Sequence, residues 1–266
     1  MTLQFLGTGT SVGVPQIGCT CPTCTSTDVR DKRRRSGLYV RAGETAFLID
    51  TPPEFRLSCL DYGIVKVDAV VLTHAHMDHV AGFDDVRRFN TLNGKTVLNC
   101  YAAAETIAAM HQIFPYITEK PNELGLYRPM IHFKPVTRAF RIGDVQLTPL
   151  PVVHGPRTNG YLIETEGCRV AYVPDCVEMP KTVQKKIQGV DILVLDCLRE
   201  RVHPTHMNLE RALACVDAVK PQKTYFVHMC HDVKHAEFER RLPKGVRLSY
   251  DGLKLVCRKR KEGSRS

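Results

Sequence analysis

At 266 residues the chain is long for one hydrophobic core and short for two ordinary domains, and it is read as one domain over 1–266. Its apolar content of 43% suits a globular protein, and no apolar run approaches the roughly 18 residues that span a bilayer, so a helical membrane protein is excluded. A formal charge of +9 points to anionic partners, phosphate or nucleic acid, without choosing between them.

The first residues show no basic leader followed by an apolar segment, so no secretory signal is read and the expected compartment is the cytoplasm. Cys59, Cys100, Cys168 and Cys215 each stand alone in apolar surroundings, which suits reduced, buried thiols. Residues 3–6 read as a strand running into Gly7-Thr8-Gly9-Thr10-Ser11, a tight turn whose amides either face a ligand or pack closely. No Gly-Lys-Ser/Thr follows, so it is not a Walker loop. Cys19-Thr20-Cys21-Pro22-Thr23-Cys24 then gathers three thiols in a Gly/Pro-bounded loop, a spacing that suits tetrahedral zinc and lacks one ligand. The runs Arg33-Arg34-Arg35 and Arg258-Lys259-Arg260-Lys261 read as solvated basic surface, the second as a frayed end.

Residues 38–41 and 46–50 flank Gly43 as a predicted hairpin, 54–62 as a helix, and 68–73 as a short buried strand. That strand delivers His74-Ala75-His76-Met77-Asp78-His79. Imidazole nitrogen and carboxylate oxygen are ligands for zinc, manganese and iron, and one cation cannot readily take all four from so short a segment. The run therefore predicts two adjacent metals. Residues 83–89 read as a helix start. The stretch 90–135 combines a helix over 102–113 with Pro- and Gly-bearing loop, and its length would let it cap a cleft.

Beyond it, 144–150 alternates as a strand that delivers His154, and 160–164 with 169–173 forms a second hairpin that delivers Asp175. Residues 191–196 read as a buried strand, 209–219 as a helix, and 224–227 as a strand that delivers His228. Both halves repeat a plan of strands, then helix, with ligands at strand ends, which predicts two packed sheets with helices outside. His231, three residues past His228, is the expected fourth ligand of the cysteine loop, with Cys230 as its competitor. A closed site of four protein ligands would be structural.

The Thr-His-x-His-x-Asp-His run from Thr73, followed in order by His154, Asp175 and His228, resembles the metallo-β-lactamase fold superfamily over essentially the whole chain. The resemblance implies an α/β (α+β) fold, a four-layer αβ/βα sandwich. It also implies that His74, His76 and His154 hold one metal, that Asp78, His79 and His228 hold a second, and that Asp175 bridges them with a shared water or hydroxide. A bridging carboxylate resembles the phosphodiesterase, nuclease and glyoxalase II branches, whereas true β-lactamases lack it. With the cysteine loop and His231, the chain is similar to the phosphoribosyl 1,2-cyclic phosphate phosphodiesterases of phosphonate catabolism.

That narrower resemblance implies two active-site divalent ions, manganese or zinc, and one structural zinc on Cys19, Cys21, Cys24 and His231. It implies catalysis by His206 and Asp78, with a metal-bridging hydroxide attacking a small anionic phosphodiester, cyclic ones included. Neighbouring His203 reads as surface, and Arg87, Arg88 and Arg157 as candidate anion contacts. Relatives of this kind form homodimers and act away from membranes. The alternatives are an endonuclease resembling the transfer-RNA 3′-processing enzymes, a persulfide-dioxygenase-like oxidoreductase, and a metal-stabilised binding module. No basic, Gly-rich arm for RNA is visible, so nucleic acid is the less favoured partner.

Overall fold

The computed structural model describes residues 1–117 and 127–258. In the first half come β1 (Thr2–Gly7), β2 (Gly37–Ala42), β3 (Thr45–Ile49), α1 (Phe55–Tyr62), β4 (Ala69–Val71), α2 (Met77–Val80), α3 (Arg87–Leu92), β5 (Leu98–Ala102), α4 (Ala104–Ile113) and β6 (Ile131–Pro135). The second half supplies β7 (Phe140–Ile142), β8 (Val145–Val152), β9 (Thr158–Thr165), β10 (Cys168–Val173), α5 (Lys181–Lys186), β11 (Ile192–Asp196), α6 (Leu209–Val219), β12 (Lys223–Val227), α7 (His235–Glu239), β13 (Val246–Leu248) and β14 (Lys254–Val256). No described helix is long and apolar enough to cross a membrane.

The strands form two seven-stranded sheets, β14-β1-β2-β3-β4-β5-β6 and β13-β12-β11-β10-β9-β8-β7. Each sheet is antiparallel on one side and parallel on the other: β3 to β6 run parallel in the first, β10 to β13 in the second. Parallel strands are covered on both faces and need apolar runs, which is what Ile192-Leu193-Val194-Leu195 provides. One cluster, including Phe5, Phe47, Tyr161 and Val194, packs between the sheets. Two others pack helices against the outer faces, α5, α6 and α7 on one side and α1 and α4 on the other. The result is the four-layer αβ/βα sandwich that the sequence predicts.

Most predicted elements are present, with α6 matching to the residue. Its start is fixed by the Asn208 side chain, which accepts from the Arg211 amide at 3.2 Å. The stretch 90–135 differs from its expectation. It contains two strands, β5 and β6, which extend the first sheet around α4, and residues 118–126 lie outside the described residues. The capping role expected of this stretch falls partly on those residues, and the basic tail beyond Arg258 falls outside the description as well.

Two other expectations change, and one of two open readings is chosen. Cys168 is not a free thiol: it forms a disulfide with Cys257, joining the start of β10 to the segment after β14 and so one sheet to the other. Sequence places the two cysteines 89 residues apart, and only β14 returning beside β1 brings them together. Arg33 is not surface: it is 2% exposed and donates to the carbonyls of Val233 (2.7 Å) and Cys230 (3.3 Å). Gly7 and Gly9 serve close packing rather than a ligand. A Cβ on Gly7 would sit 2.0 Å from the Arg35 carbonyl oxygen, and one on Gly9 would lie 2.9 Å from that of Arg33.

Candidate metal centre

The parallel strands deliver their carboxyl ends to one edge of the sandwich, where loops from both sheets meet. After β4 the chain turns through His74 and His76 into α2, which carries Asp78 and His79. After β8 comes His154, after β10 Asp175, and after β12 His228. Ligand atoms of His74, His76 and His154 lie within 4.8 Å of one another, as do those of Asp78, His79 and His228. Asp175 reaches both groups: Oδ1 is 3.2 Å from His79 Nε2, while Oδ2 is 3.3 Å from His228 Nε2 and 3.7 Å from His154 Nε2. The seven residues singled out in the sequence are thus one cluster, closed by side chains from both halves.

Hydrogen bonds behind the cluster decide which ring nitrogens face inward. His154 Nδ1 donates to the Thr205 carbonyl at 2.9 Å, and His79 Nδ1 donates to Asp50 Oδ2 at 2.8 Å. His74 Nδ1 lies 2.9 Å from Thr73 Oγ1, which itself donates to Asp50 Oδ2 at 2.8 Å. Asp50 is fully buried and holds one residue of each trio, so both trios are oriented by one carboxylate. Asp50 and His228 both have positive φ (65° and 62°), a costly backbone for residues other than glycine that tends to persist at functional sites.

These bonds leave His74 Nε2 and His154 Nε2 as lone pairs, each facing His76 Nδ1 at 3.0 and 3.2 Å. One proton on His76 can satisfy only one of them. Three imidazole nitrogens so placed suit a cation, because zinc–nitrogen bonds of about 2.0–2.1 Å set neighbouring tetrahedral ligands about 3.3 Å apart. His79 Nε2, Asp175 Oδ1 and His228 Nε2 are buried without hydrogen-bond partners, as expected of donor atoms aimed at an ion. The residues present therefore fit divalent metal.

Electrostatics agree. Burial, reinforced by the neighbouring His79, pushes the proton affinity of His74 well below the ordinary imidazole range, and burial lowers that of His154 to about 4. Burial works against the charge on Asp78 and Asp175, but the adjoining histidines overcome it and hold both carboxyls below the usual carboxylate range. Neutral imidazoles and ionised carboxylates are the ligand forms. His79 departs from them: burial works against its charge, but Asp175 and Asp50 overcome it and raise its proton affinity well above the ordinary imidazole range, so an ion there would displace a proton. Asp78, also expected to be catalytic, is placed as a member of the second trio, 3.4 Å from His79 Nε2 and 3.5 Å from His228 Nε2.

His206 stands over this cluster. Its ring stacks on His228 with centroids 4.5 Å apart and meets His154 edge-on at 4.7 Å. Nδ1 is 2.7 Å from Asp196 Oδ2, at the end of β11, which leaves Nε2 as the free ring nitrogen. Burial raises the Asp196 carboxyl well above its ordinary range and lowers the His206 imidazole, so the pair favours its uncharged form. His203 lies 5.2 Å from the His206 ring rather than apart from the site. Among the arginines, Arg87 is paired with Asp84 at 3.0 Å and Arg88 and Arg157 are exposed.

The cysteine loop forms a second cluster. His231 Nδ1 lies 3.2, 3.6 and 3.7 Å from the sulfurs of Cys19, Cys21 and Cys24. Zinc bonds of about 2.3 Å to sulfur and 2.0 Å to nitrogen place such atoms about 3.5 Å apart, so these four also fit the ion. Cys230 is buried elsewhere, its sulfur accepting from the Asp232 amide at 3.4 Å. Asp50 and Asp196 are the functional carboxylates that sequence reading missed. The available signal was that each ends an apolar strand, as Asp175 nearly does.

A buried cluster of imidazoles and carboxylates at the strand ends of an αβ/βα sandwich defines a metal-dependent hydrolase of the metallo-β-lactamase fold. Residues 45–229 match the family described as Beta-lactamase superfamily domain, and the chain belongs to it. A solved diphosphatase from the PhnP family is 38% identical, with a TM-score of 0.87 and 96% of each chain covered, which puts this protein in the PhnP-like branch. Among curated relatives, an octanoyltransferase of Porphyromonas gingivalis is 32% identical over 263 residues, 96% of this chain and 51% of the relative. The chain thus spans about half the length of that relative. Coenzyme PQQ synthesis protein B of a Methylobacterium species is 29% identical over 216 residues, 74% of this chain and 72% of the relative.

Proposed function

We propose that this hydrolase is a two-metal phosphodiesterase acting on a small anionic substrate in which phosphorus carries two substituents, a cyclic phosphodiester or a substituted diphosphate. The observation that carries the reading is the His206–Asp196 pair, a proton-holding dyad set against a donor cluster for two ions. A 38%-identical structure of a PhnP-family diphosphatase supports phosphorus chemistry. The octanoyl transfer named for the Porphyromonas gingivalis relative belongs to a protein about twice as long and is not carried over.

In this reading His74, His76 and His154 hold one divalent ion and Asp78, His79 and His228 the other, with Asp175 shared. When bound, such a pair lowers the pKa of a shared water and offsets the charge that gathers on phosphoryl oxygens. His206 does the proton work. With the second proton of the dyad on either side of its 2.7 Å contact, Nε2 carries a hydrogen. Water oxygen bonds to phosphorus and gives up one proton to solvent, the bond to the leaving oxygen breaks with its electron pair, and that oxygen takes the Nε2 proton while Asp196 supplies Nδ1. A proton returning from solvent then restores the dyad. The cysteine cluster would carry a structural zinc, fixing the N-terminal loop against the loop that bears His228.

Metal analysis combined with hydrolysis of bis(p-nitrophenyl) phosphate tests the reading. About three metals per chain, two of them exchangeable, with phosphodiester cleavage, is the expected result. A single firmly held iron with oxygen consumption would replace it with an oxygenase. Cleavage of precursor transfer RNA with steep salt dependence, and none of small esters, would replace it with a nuclease.

A further inference from the structure

Away from the metal centre, a cavity of about 610 Å³ opens beside the edge strand β13, between α7 and the turn leading into β14. Lys223, at the start of β12, lines it, and about 16 Å of extended chain separates Lys223 from His228 at the other end of that strand. Three kinds of group meet there. Lys223, Lys244 and Arg247 bring positive charge to the rim. Tyr225 and the exposed Tyr250 offer aromatic faces. His235, only 1% exposed, lines the inner side, with its ring 6.0 Å from that of Tyr250.

Glu239 is the acidic residue of the lining, and it is already engaged. His235 Nε2 lies 2.9 Å from its carboxylate, and Arg247 approaches it at 3.9 Å. Burial outweighs the pull of Glu239 and keeps the His235 ring neutral. With Nε2 donating to Glu239, Nδ1 is a lone-pair acceptor, and it is buried without a partner. A ligand that brings an O–H or N–H to that nitrogen would satisfy an acceptor the fold leaves unmet.

We infer that this cavity is a second ligand site, distinct from the metal centre, for a mononucleotide: phosphate on the lysine–arginine rim, the flat base against the tyrosines, and a hydroxyl or amino hydrogen on His235. Arg247 is the cross-strand partner of Tyr225, and Lys223 shares its strand face. A charge-assisted contact and a stacking surface thus lie side by side, which suits a phosphate ester with an aromatic ring and which inorganic phosphate alone cannot use. The site lies on the side of β12 away from its ligand-bearing end, so occupancy does not compete with substrate.

Calorimetry on the metal-loaded protein with adenosine 5′-monophosphate tests this, together with a Lys223→Ala/Arg247→Ala variant and a His154→Ala variant. The expected result is a binding event that survives His154→Ala and weakens about tenfold or more in the double variant. Metal content and melting temperature should be unchanged in the double variant. Inorganic phosphate and adenosine separately should each bind at least about tenfold more weakly than the nucleotide. Loss of all nucleotide binding in His154→Ala with none lost in the double variant would place the ligand at the metal centre and overturn the inference. Equal binding of phosphate and nucleotide would overturn the assigned ligand class, and the absence of any binding to the wild type would overturn the site.

Discussion

His228 and His231 lie three residues apart on one loop yet serve clusters built on different plans. The larger cluster takes its ligands from strand ends and a short helix, and buried carboxylates stand behind it: Asp50 holds His79 directly and His74 through Thr73, while Asp196 holds His206. The smaller takes three thiols from a loop without regular structure and one imidazole from the β12 loop, and what braces it is Arg33, clamping the carbonyls on either side of His231. A site that must present an ion to a substrate needs donors aligned before binding, and rigid elements supply that alignment. A site whose ion only joins two loops can let the ion do the aligning. The comparison teaches that the two clusters are braced in different ways, the larger through hydrogen bonds to its own imidazole rings and the smaller through backbone carbonyls on either side of its histidine.

The largest effect should follow from Asp175→Ala. It removes the one carboxylate shared by both trios and leaves His79 and His228 facing each other without it. Activity should fall by about a thousandfold or more and exchangeable metal should drop, read by rate assay and elemental analysis. Retention of both metals would show that Asp175 is not shared. Next comes Asp196→Asn, which keeps the shape and removes the proton partner. Turnover should fall by about a hundredfold with metal content intact. The alkaline limb of its pH–rate profile should also move to lower pH, because burial raises the Asp196 carboxyl and that retained proton is what the wild type keeps as pH climbs. An unchanged profile would reduce Asp196 to packing.

Cys21→Ser sharpens the other side of the comparison. One zinc should be lost and the melting temperature should drop by several degrees, while specific activity at low temperature stays within a few-fold. Full loss of activity at unchanged stability would mean that the cysteine cluster belongs to the chemistry. The smallest effect is expected of Cys230→Ala, a buried thiol outside the cluster, with zinc content unchanged and a stability cost of about 1 kcal/mol by denaturant titration. A zinc deficit there would make Cys230, not His231, the fourth ligand.

The dense ligand run was legible because three imidazoles and a carboxylate at a strand exit have few other uses, and His154, Asp175 and His228 followed from the same strand-end logic. Asp50 and Asp196 were not, since a single aspartate after an apolar run looks like any strand terminus until its partner is known. Strand β5 escaped because a short parallel strand buried on nearly every side lacks the alternation that marks a half-exposed strand. The edge strand β6 does alternate, with Ile131 and Phe133 buried and His132 exposed, and is too short and too close to Pro135 to stand out. Arg33 looked like surface because it stands in a run of three arginines, and only the fold shows carbonyls from 197 and 200 residues away closing over it. The Cys168–Cys257 bridge depends on β14 pairing with β1, a contact no local pattern announces.

The larger cluster draws His74, His76, Asp78 and His79 from the first sheet and His154, Asp175 and His228 from the second. An ion held there is therefore a rivet through the sandwich, and the free energy of holding it is also free energy of docking one half of the chain onto the other. Stability should then climb with the logarithm of free metal concentration, and whatever strips the metal loosens the seam between the sheets. With an ion bound there, metal supply and the folded population would be two readings of one equilibrium.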